Sequence, residues 1–135
     1  MCLDTVDKVT KEYTEGYKIF VVNQGGKTVS PELFMVHKRF NLHQWIEDPN
    51  CGERIYYDEY TNHYKSGFHF FVNLKDAYAW MGDSNIDCEV FKIKVRNIVA
   101  SGKQRLFNYY SYGDFNSRDV EVGVAKEMYI EKELP

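Results

Sequence analysis

Hydrophobic and polar positions alternate most regularly between Val90 and Val99, where Phe91, Ile93 and Val95 point one way and Lys92, Lys94 and Arg96 the other. A period of two belongs to a strand with one face on a core and the other toward water. The same period returns late in the chain, with Val120, Val122 and Val124 on one face, and predicts a last strand over Val120 to Ile130. An earlier strand is predicted over Tyr17 to Val22, YKIFVV, ending at the glycine-bearing stretch Asn23 to Lys27 that suits reversal into a hairpin.

The period changes to helical after Asn73. Leu74, Ala77, Tyr78 and Met81 fall on one helix face, Asn73 is a capping residue, and Asp76 at the third helical position complements the positive helix start. Gly82 is placed to end this helix, and Asp83 to Asp87 reads as a turn. From Ser30 to Asp48 two readings stand side by side. Ser30-Pro31-Glu32 has the form of a helix start, whereas FMVHKRF alternates as a strand would. Asp48-Pro49-Asn50-Cys51-Gly52 is a turn, and Glu53 to His63 is polar and tyrosine-rich without a period, as in a surface segment. Gly102 to Asp119 reads as a long loop, of a length that is uncommon in a compact domain unless it is functional or disordered. Together these elements predict an α+β fold, a single domain over residues 1–135, with a mostly antiparallel twisted sheet and one or two short helices.

A chain of 135 residues buries about 65 to 70% of its unfolded surface, enough for a real core. Composition changes the picture in one respect: 11 Tyr, 9 Phe and 2 Trp make aromatic contact the first chemistry to explain. The formal net charge of −3 gives no overall field that would draw nucleic acid or an anionic membrane. Cys2, Cys51 and Cys88 are odd in number and form no CxxC pair, the pattern of reduced thiols in a cytosol. No apolar run reaches the ~20 residues of a membrane span, and the first residues lack the build of a signal peptide. The expectation is a cytoplasmic protein without membrane contact.

Candidate chemistry is sparse. His69 sits in the aromatic run YKSGFHFF, where alternation places it with Phe71, opposite Phe68 and Phe70, on the less buried face or at the core margin. Its bland role is a ring satisfied by a backbone group; its functional role would be ligand contact. The pairs His37 with His43 and His63 with His69 are each six apart and match no metal-ligand spacing, so no metal is assigned. The stripe Lys92, Lys94, Arg96 needs carboxylates or an anionic ligand opposite it, and Glu121 is the candidate partner. The loop Phe107 to Ser117 mixes Tyr and Phe with Ser, Gly and Asn, a combination that contact surfaces use. It supplies the expected binding set, Phe107, Tyr109, Tyr110, Tyr112 and Phe115, with Arg105 and Arg118 at its edges and Lys94 and His69 as further contacts. No catalytic residue and no cofactor is assigned.

The order GYK, YxxGFHxF, a helix holding Asp76-Ala77, VxKIKVR with NIVASG, and VGVAKEMYI resembles small uncharacterised proteins of bacteriophage and prophage genomes, from Gly16 to Ile130. The resemblance implies a protein acting in the cytoplasm of a bacterial host, with the aromatic loop an insertion relative to that pattern. The chain also has a likeness to the ADP-ribosyltransferase-type fold, carried by FFVNLKDAYAW and by Asp119-Val120-Glu121 followed by VGVA. That likeness implies a nucleotide ligand among His69, Lys94 and Glu121, with Glu121 as the catalytic carboxylate. GYK replaces the early His-Gly or Arg-Gly of that fold, its Ser-Thr-Ser is missing, and the late motif begins with Asp. Three functions are therefore expected in order: a non-enzymatic protein that engages a bacterial host or defence factor through the aromatic loop; as the alternative, a nucleotide-binding enzyme or sensor; and, third, a phage structural or assembly component.

Overall fold

The computed structural model describes residues 3–23, 25–26, 28–31, 38–58, 62–81, 88–111 and 114–133, with the backbone alone at 31, 58, 107–111, 114–117 and 133. Among the described residues ten strands and one helix follow in order: β1 (Thr5–Val6), β2 (Glu15–Val22), β3 (Thr28–Pro31), β4 (Phe40–Asn41), β5 (Trp45–Glu47), β6 (Arg54–Asp58), β7 (Asn62–Lys65), β8 (Phe68–Phe71), α1 (Leu74–Met81), β9 (Cys88–Ser111) and β10 (Asp114–Glu133). The fold is α+β and mostly antiparallel sheet, as the alternation predicts. Ser30 and Pro31 end β3, so no helix starts there. The sequence after them, 32–37, lies outside the described residues, as do Gly82 and the predicted turn 83–87.

Four elements pair into a closed ring. β2 lies against the start of β9, from Glu15 opposite Lys94 to Val21 opposite Cys88. β9 pairs with β10 along nearly its whole length, β10 pairs with β8 from Val122 opposite Phe71 to Ala125 opposite Phe68, and Tyr17 opposite Phe71 returns β8 to β2. Closure removes edges that would otherwise stay unpaired. β3 and β4 extend the sheet from β2, β5 pairs with β10, and β1 covers β9 at Gly102 and Lys103.

Two core clusters pack against the ring. In one, Ile19, Phe71, Val90, Val120, Val122 and Val124 pack with α1, Leu3 and the β6–β7 hairpin. In the other, Phe20, Phe68, Phe70, Phe91, Ile93, Val95, Met128 and Ile130 come together, edged by Tyr13, Phe40 and Ile46. Each fully buried ring or branched chain removes apolar surface worth roughly 1.5–3 kcal/mol, so these layers carry the fold. Phe70, 0% exposed, is accommodated because Gly16 and Gly123 face it from the two neighbouring strands, and a methyl group at either would run into its ring.

The long hairpin is bent rather than straight. Val124 pairs with Ala100 but Ala125 pairs with Ile98, which leaves Val99 bulged, and Asn97 adopts a φ of 58° two residues away. The bulge switches the alternation of β9, so that Phe91, Ile93 and Val95 below it share the ribbon face of Ala100, Gln104 and Leu106 above it. One ribbon thus serves both core clusters.

The helix keeps its sequence logic. The Asp76 N–H donates to the Asn73 carbonyl at 3.1 Å, Ala77 is fully buried, and Leu74, Tyr78, Trp80 and Met81 rest on the first cluster. Asp48 to Gly52 is a turn, closed by the Cys51 N–H on the Asp48 carbonyl. Where composition predicts a surface segment without a period over Glu53 to His63, Arg54–Asp58 and Asn62–Lys65 are strands, with 59–61 outside the described residues. Arg54 pairs with Lys65, and Ile55 with Tyr64, in a separate hairpin that turns Ile55, Tyr57 and Tyr64 toward the core and leaves Tyr56 outside.

Candidate functional site

The segment expected to be a long loop, from Gly102 to Asp119, is instead strand over its described residues, 102–111 and 114–119, the outer part of the β9–β10 hairpin. Arg118 pairs with Leu106, Ser117 with Phe107, Asn116 with Asn108 and Asp114 with Ser111. The reason is backbone hydrogen bonding: a ribbon satisfies through its partner strand the polar groups that a structureless loop would leave to water. β9 meets β1 as far as Lys103, and β10 meets β8 as far as Val122, with a last bond from the Val72 N–H to the Glu121 carbonyl; beyond these, among the described residues, the two strands pair only with each other along their backbones. The hairpin continues as an arm, and five residue steps from Leu106 to Ser111 carry it about 17 Å. Phe107, Tyr109 and Tyr110 lie on its β9 strand and Phe115 on its β10 strand; Tyr112 lies outside the described residues.

The root of the arm is fastened on both sides. On the β9 side the Arg105 N–H donates to the Asp4 carboxylate at 2.5 Å, and the Arg105 guanidinium stands 3.8 Å from Asp119. On the β10 side Arg118 Nη2 lies 2.9 Å from Oδ1 of Asp76, a carboxylate only 3% exposed. Arg118, expected at the edge of a contact surface, is thus engaged within the protein.

The cationic stripe is ion-paired, but not through Glu121. Lys92 meets Glu15 at 3.2 Å, Lys94 meets Glu131 at 3.7 Å, and Arg96 holds both oxygens of Glu127 at 3.0 Å. Register explains the difference, because Glu121 pairs with Lys103, far along the ribbon from Lys94 opposite Tyr129. Arg96 also stacks on the Trp45 ring, 3.9 Å from its centre, and Lys94 lies 5.3 Å from the centre of Tyr129. The Arg96 and Asn97 hydrogen bonds hold the Glu127 carboxyl below its ordinary pKa, and the same Arg96–Glu127 bond raises the guanidinium. This face is a balanced ladder of charges on aromatic rings, with Trp45 38% exposed.

His69 is buried, 8% exposed, and not at the core margin. Every residue of β8 is buried because this strand has a core cluster on each face, a situation that alternation alone does not reveal. His69 Nδ1 lies 3.2 Å from the Gly67 carbonyl, which can only accept, so Nδ1 carries the proton and Nε2 accepts from the Tyr64 hydroxyl at 2.9 Å. Tyr64 in turn accepts the Leu3 N–H at 3.0 Å. Burial, with the nearby Lys18 ammonium, pushes the imidazole down to about pKa 3, so the ring is neutral. It is a structural histidine in a directed hydrogen-bond chain.

His69, Lys94 and Glu121 do not converge. His69 pairs opposite Val124 and shares its face with Val122; Glu121, adjacent to Val122 in the strand, points to the opposite face, toward Tyr13. Burial and then the Glu121 charge push the Tyr13 phenol up. Lys94 stands on the ladder with Glu131. No three His, Cys, Asp or Glu side chains gather as a metal would need among the described residues, and no helix among them is long and apolar enough to cross a membrane. Cys51 is a half-buried thiol and Cys88 a buried one. Two features lay outside the sequence reading: the Tyr64 hydroxyl as the partner of His69, and the burial of Asp76, whose position signalled only a helix start. A scan against protein-family models, a search of curated proteins and a search of solved structures each find no match to the chain.

Proposed function

We propose that this chain is a binding protein rather than an enzyme, and that the outer β9–β10 hairpin is the element that meets its partner. The observation that carries the reading is the continuation of both strands past their last neighbours, with four of the five aromatic residues singled out in the sequence on that extension. Protein interfaces take their energy from a few aromatic and Arg anchors, and rings cost little entropy to immobilise. The resemblance to bacteriophage proteins supplies the partner's class, a bacterial host or defence protein in the cytoplasm. The separation of His69, Lys94 and Glu121 weighs against a nucleotide site built from them.

The experiment is affinity capture from bacterial lysate with the intact chain and with a Tyr109→Ser, Tyr110→Ser, Tyr112→Ser variant. A protein retained by the first and lost by the second, at equal thermal stability, supports the reading. Equal retention by both removes it.

A further inference from the structure

The Asp76 carboxylate is in an unfavourable place for a charge. It lies in the first turn of α1, where such groups normally face water, yet it is 3% exposed. Its Oδ2 receives only a long 3.4 Å contact from Asn73, and no aligned hydrogen bond reaches Oδ1 among the described residues. What compensates it is the Arg118 guanidinium, 2.9 Å away but not aimed along an N–H direction. We read that contact as an ion pair and not as a hydrogen bond, which reconciles the short distance with the unsatisfied oxygen. Only the carboxylate of the pair is buried, the Arg118 side chain being half exposed, so desolvation offsets part of the attraction and the pair adds little net stability, but it fixes two elements relative to each other.

The two elements it joins are specific. Arg118 pairs with Leu106, one step inside the stretch 107–117 that forms the arm, and both lie on the ribbon face that α1 covers. Backbone pairing defines the ribbon internally, but a two-stranded ribbon twists and bends easily once its neighbours end. Something outside the ladder must set its pitch. On the β9 side Asp4 does so in the plane of the sheet, its carboxylate taking the Arg105 N–H just past the point where β1 stops. On the other side only a tie perpendicular to the sheet can act, and Asp76 reaches from the helix to provide it.

We infer that the Asp76–Arg118 pair is the joint that sets the direction in which the β9–β10 arm leaves the sheet. Asp76 and Arg118 are positioning residues: they act through the arm and contact no partner. The joint also couples α1 to the arm, so that a displacement of one is transmitted to the other. The inference concerns the arm's geometry and stands or falls separately from any protein the arm captures.

The test removes both charges together, with Asp76→Asn and Arg118→Gln in one chain, so that no unpaired charge is left inside. Spin labels on Lys75→Cys and Ser117→Cys, in a Cys2→Ser, Cys51→Ser background, read the distance from helix to arm, and hydrogen exchange reads the backbone. The expected result is a broadened or shifted distance distribution, and exchange roughly tenfold faster at residues 107–111 and 114–117, with Phe68–Phe71 and Val122–Ala125 still protected. An unchanged distribution and unchanged arm exchange would overturn the inference. Loss of protection in Phe68–Phe71 and Val122–Ala125 along with the arm would also overturn it, since the pair would then support the whole fold and not the arm's direction.

Discussion

The Tyr64 hydroxyl sits 2.9 Å from His69 Nε2, and through it the N-terminal segment, the β6–β7 hairpin and β8 are joined by one directed chain of hydrogen bonds. The chain requires a neutral imidazole, and burial holds the folded pKa near 3 against 6.5 in the unfolded chain. A depressed pKa means the unfolded state takes the proton first. The stabilisation from neutral His69 is therefore complete above pH 6.5 and is lost as pH falls toward 3, by about 1.4 kcal/mol for each pH unit in that window. Urea unfolding of the wild type and of His69→Gln, which keeps an acceptor but cannot titrate there, checks this. Their difference should shrink steadily from pH 6.5 downward; a constant difference would exclude the assignment.

Tyr64→Phe keeps the ring and its packing but deletes the hydroxyl. Two buried groups then lose their partner, the Leu3 N–H and His69 Nε2. Each orphaned group costs roughly 1–3 kcal/mol, so a loss of about 2–6 kcal/mol is expected. Hydrogen exchange should localise it, with the amides of Leu3 and Asp4 opening before those of Phe68–Phe71.

Gly123→Ala and Gly16→Ala each place a methyl group against the Phe70 ring. Phe70 is wholly buried, so its ring can give way only by displacing core neighbours, and roughly 1–3 kcal/mol of destabilisation is expected from either change. Phe70→Leu should recover part of that loss in the double variant while being destabilising alone. The sign of this coupling, measured by chemical denaturation in a double-mutant cycle, identifies the contact.

These sites show where the sequence is informative. Alternation revealed the strand around Phe91 to Val95, the last strand and the face of α1, since one period and one core face suffice for each. It failed at β8, because two opposite core faces leave no polar positions to mark an outward side, and His69 was therefore placed too near the surface. It failed again at Gly102 to Asp119, where Tyr, Asn, Ser and Gly resemble a loop while the ladder that orders them is formed with a strand at hairpin distance. The Lys92–Lys94–Arg96 stripe was legible as a face needing carboxylates, but its partners Glu15, Glu131 and Glu127 depend on register, which composition does not encode.

Arg96→Ala removes both the bidentate contact to Glu127 and the guanidinium stacked on Trp45. Arg96 is exposed and Glu127 only partly covered, so the melting temperature should change little and the residual effect should weaken further with salt. The ring itself should report the loss: Trp45 gains water contact and its fluorescence moves to longer wavelength. Trp80, against the first core cluster, should be unaffected. An unchanged spectrum would show that the stacked geometry is not held in solution.

Shortening the arm separates its contribution from that of the body. Replacing residues 107–117 by Asn-Gly joins Leu106 directly to Arg118, which already face each other in the ladder, through a two-residue turn of the type that suits such a pair. The fastenings at Asp4 and Asp76 remain, and β9 and β10 keep their pairings with β1, β2, β5 and β8. Closing a shorter loop recovers a few tenths of a kcal/mol of chain entropy, against the loss of the outer ladder, so the unfolding free energy should stay within about 1 kcal/mol of the wild type. Partner capture should disappear altogether. A shortened chain that folds and still captures the same protein would place the interface elsewhere, whereas one that no longer folds would make the arm part of the structural core and not an appendage held out from it.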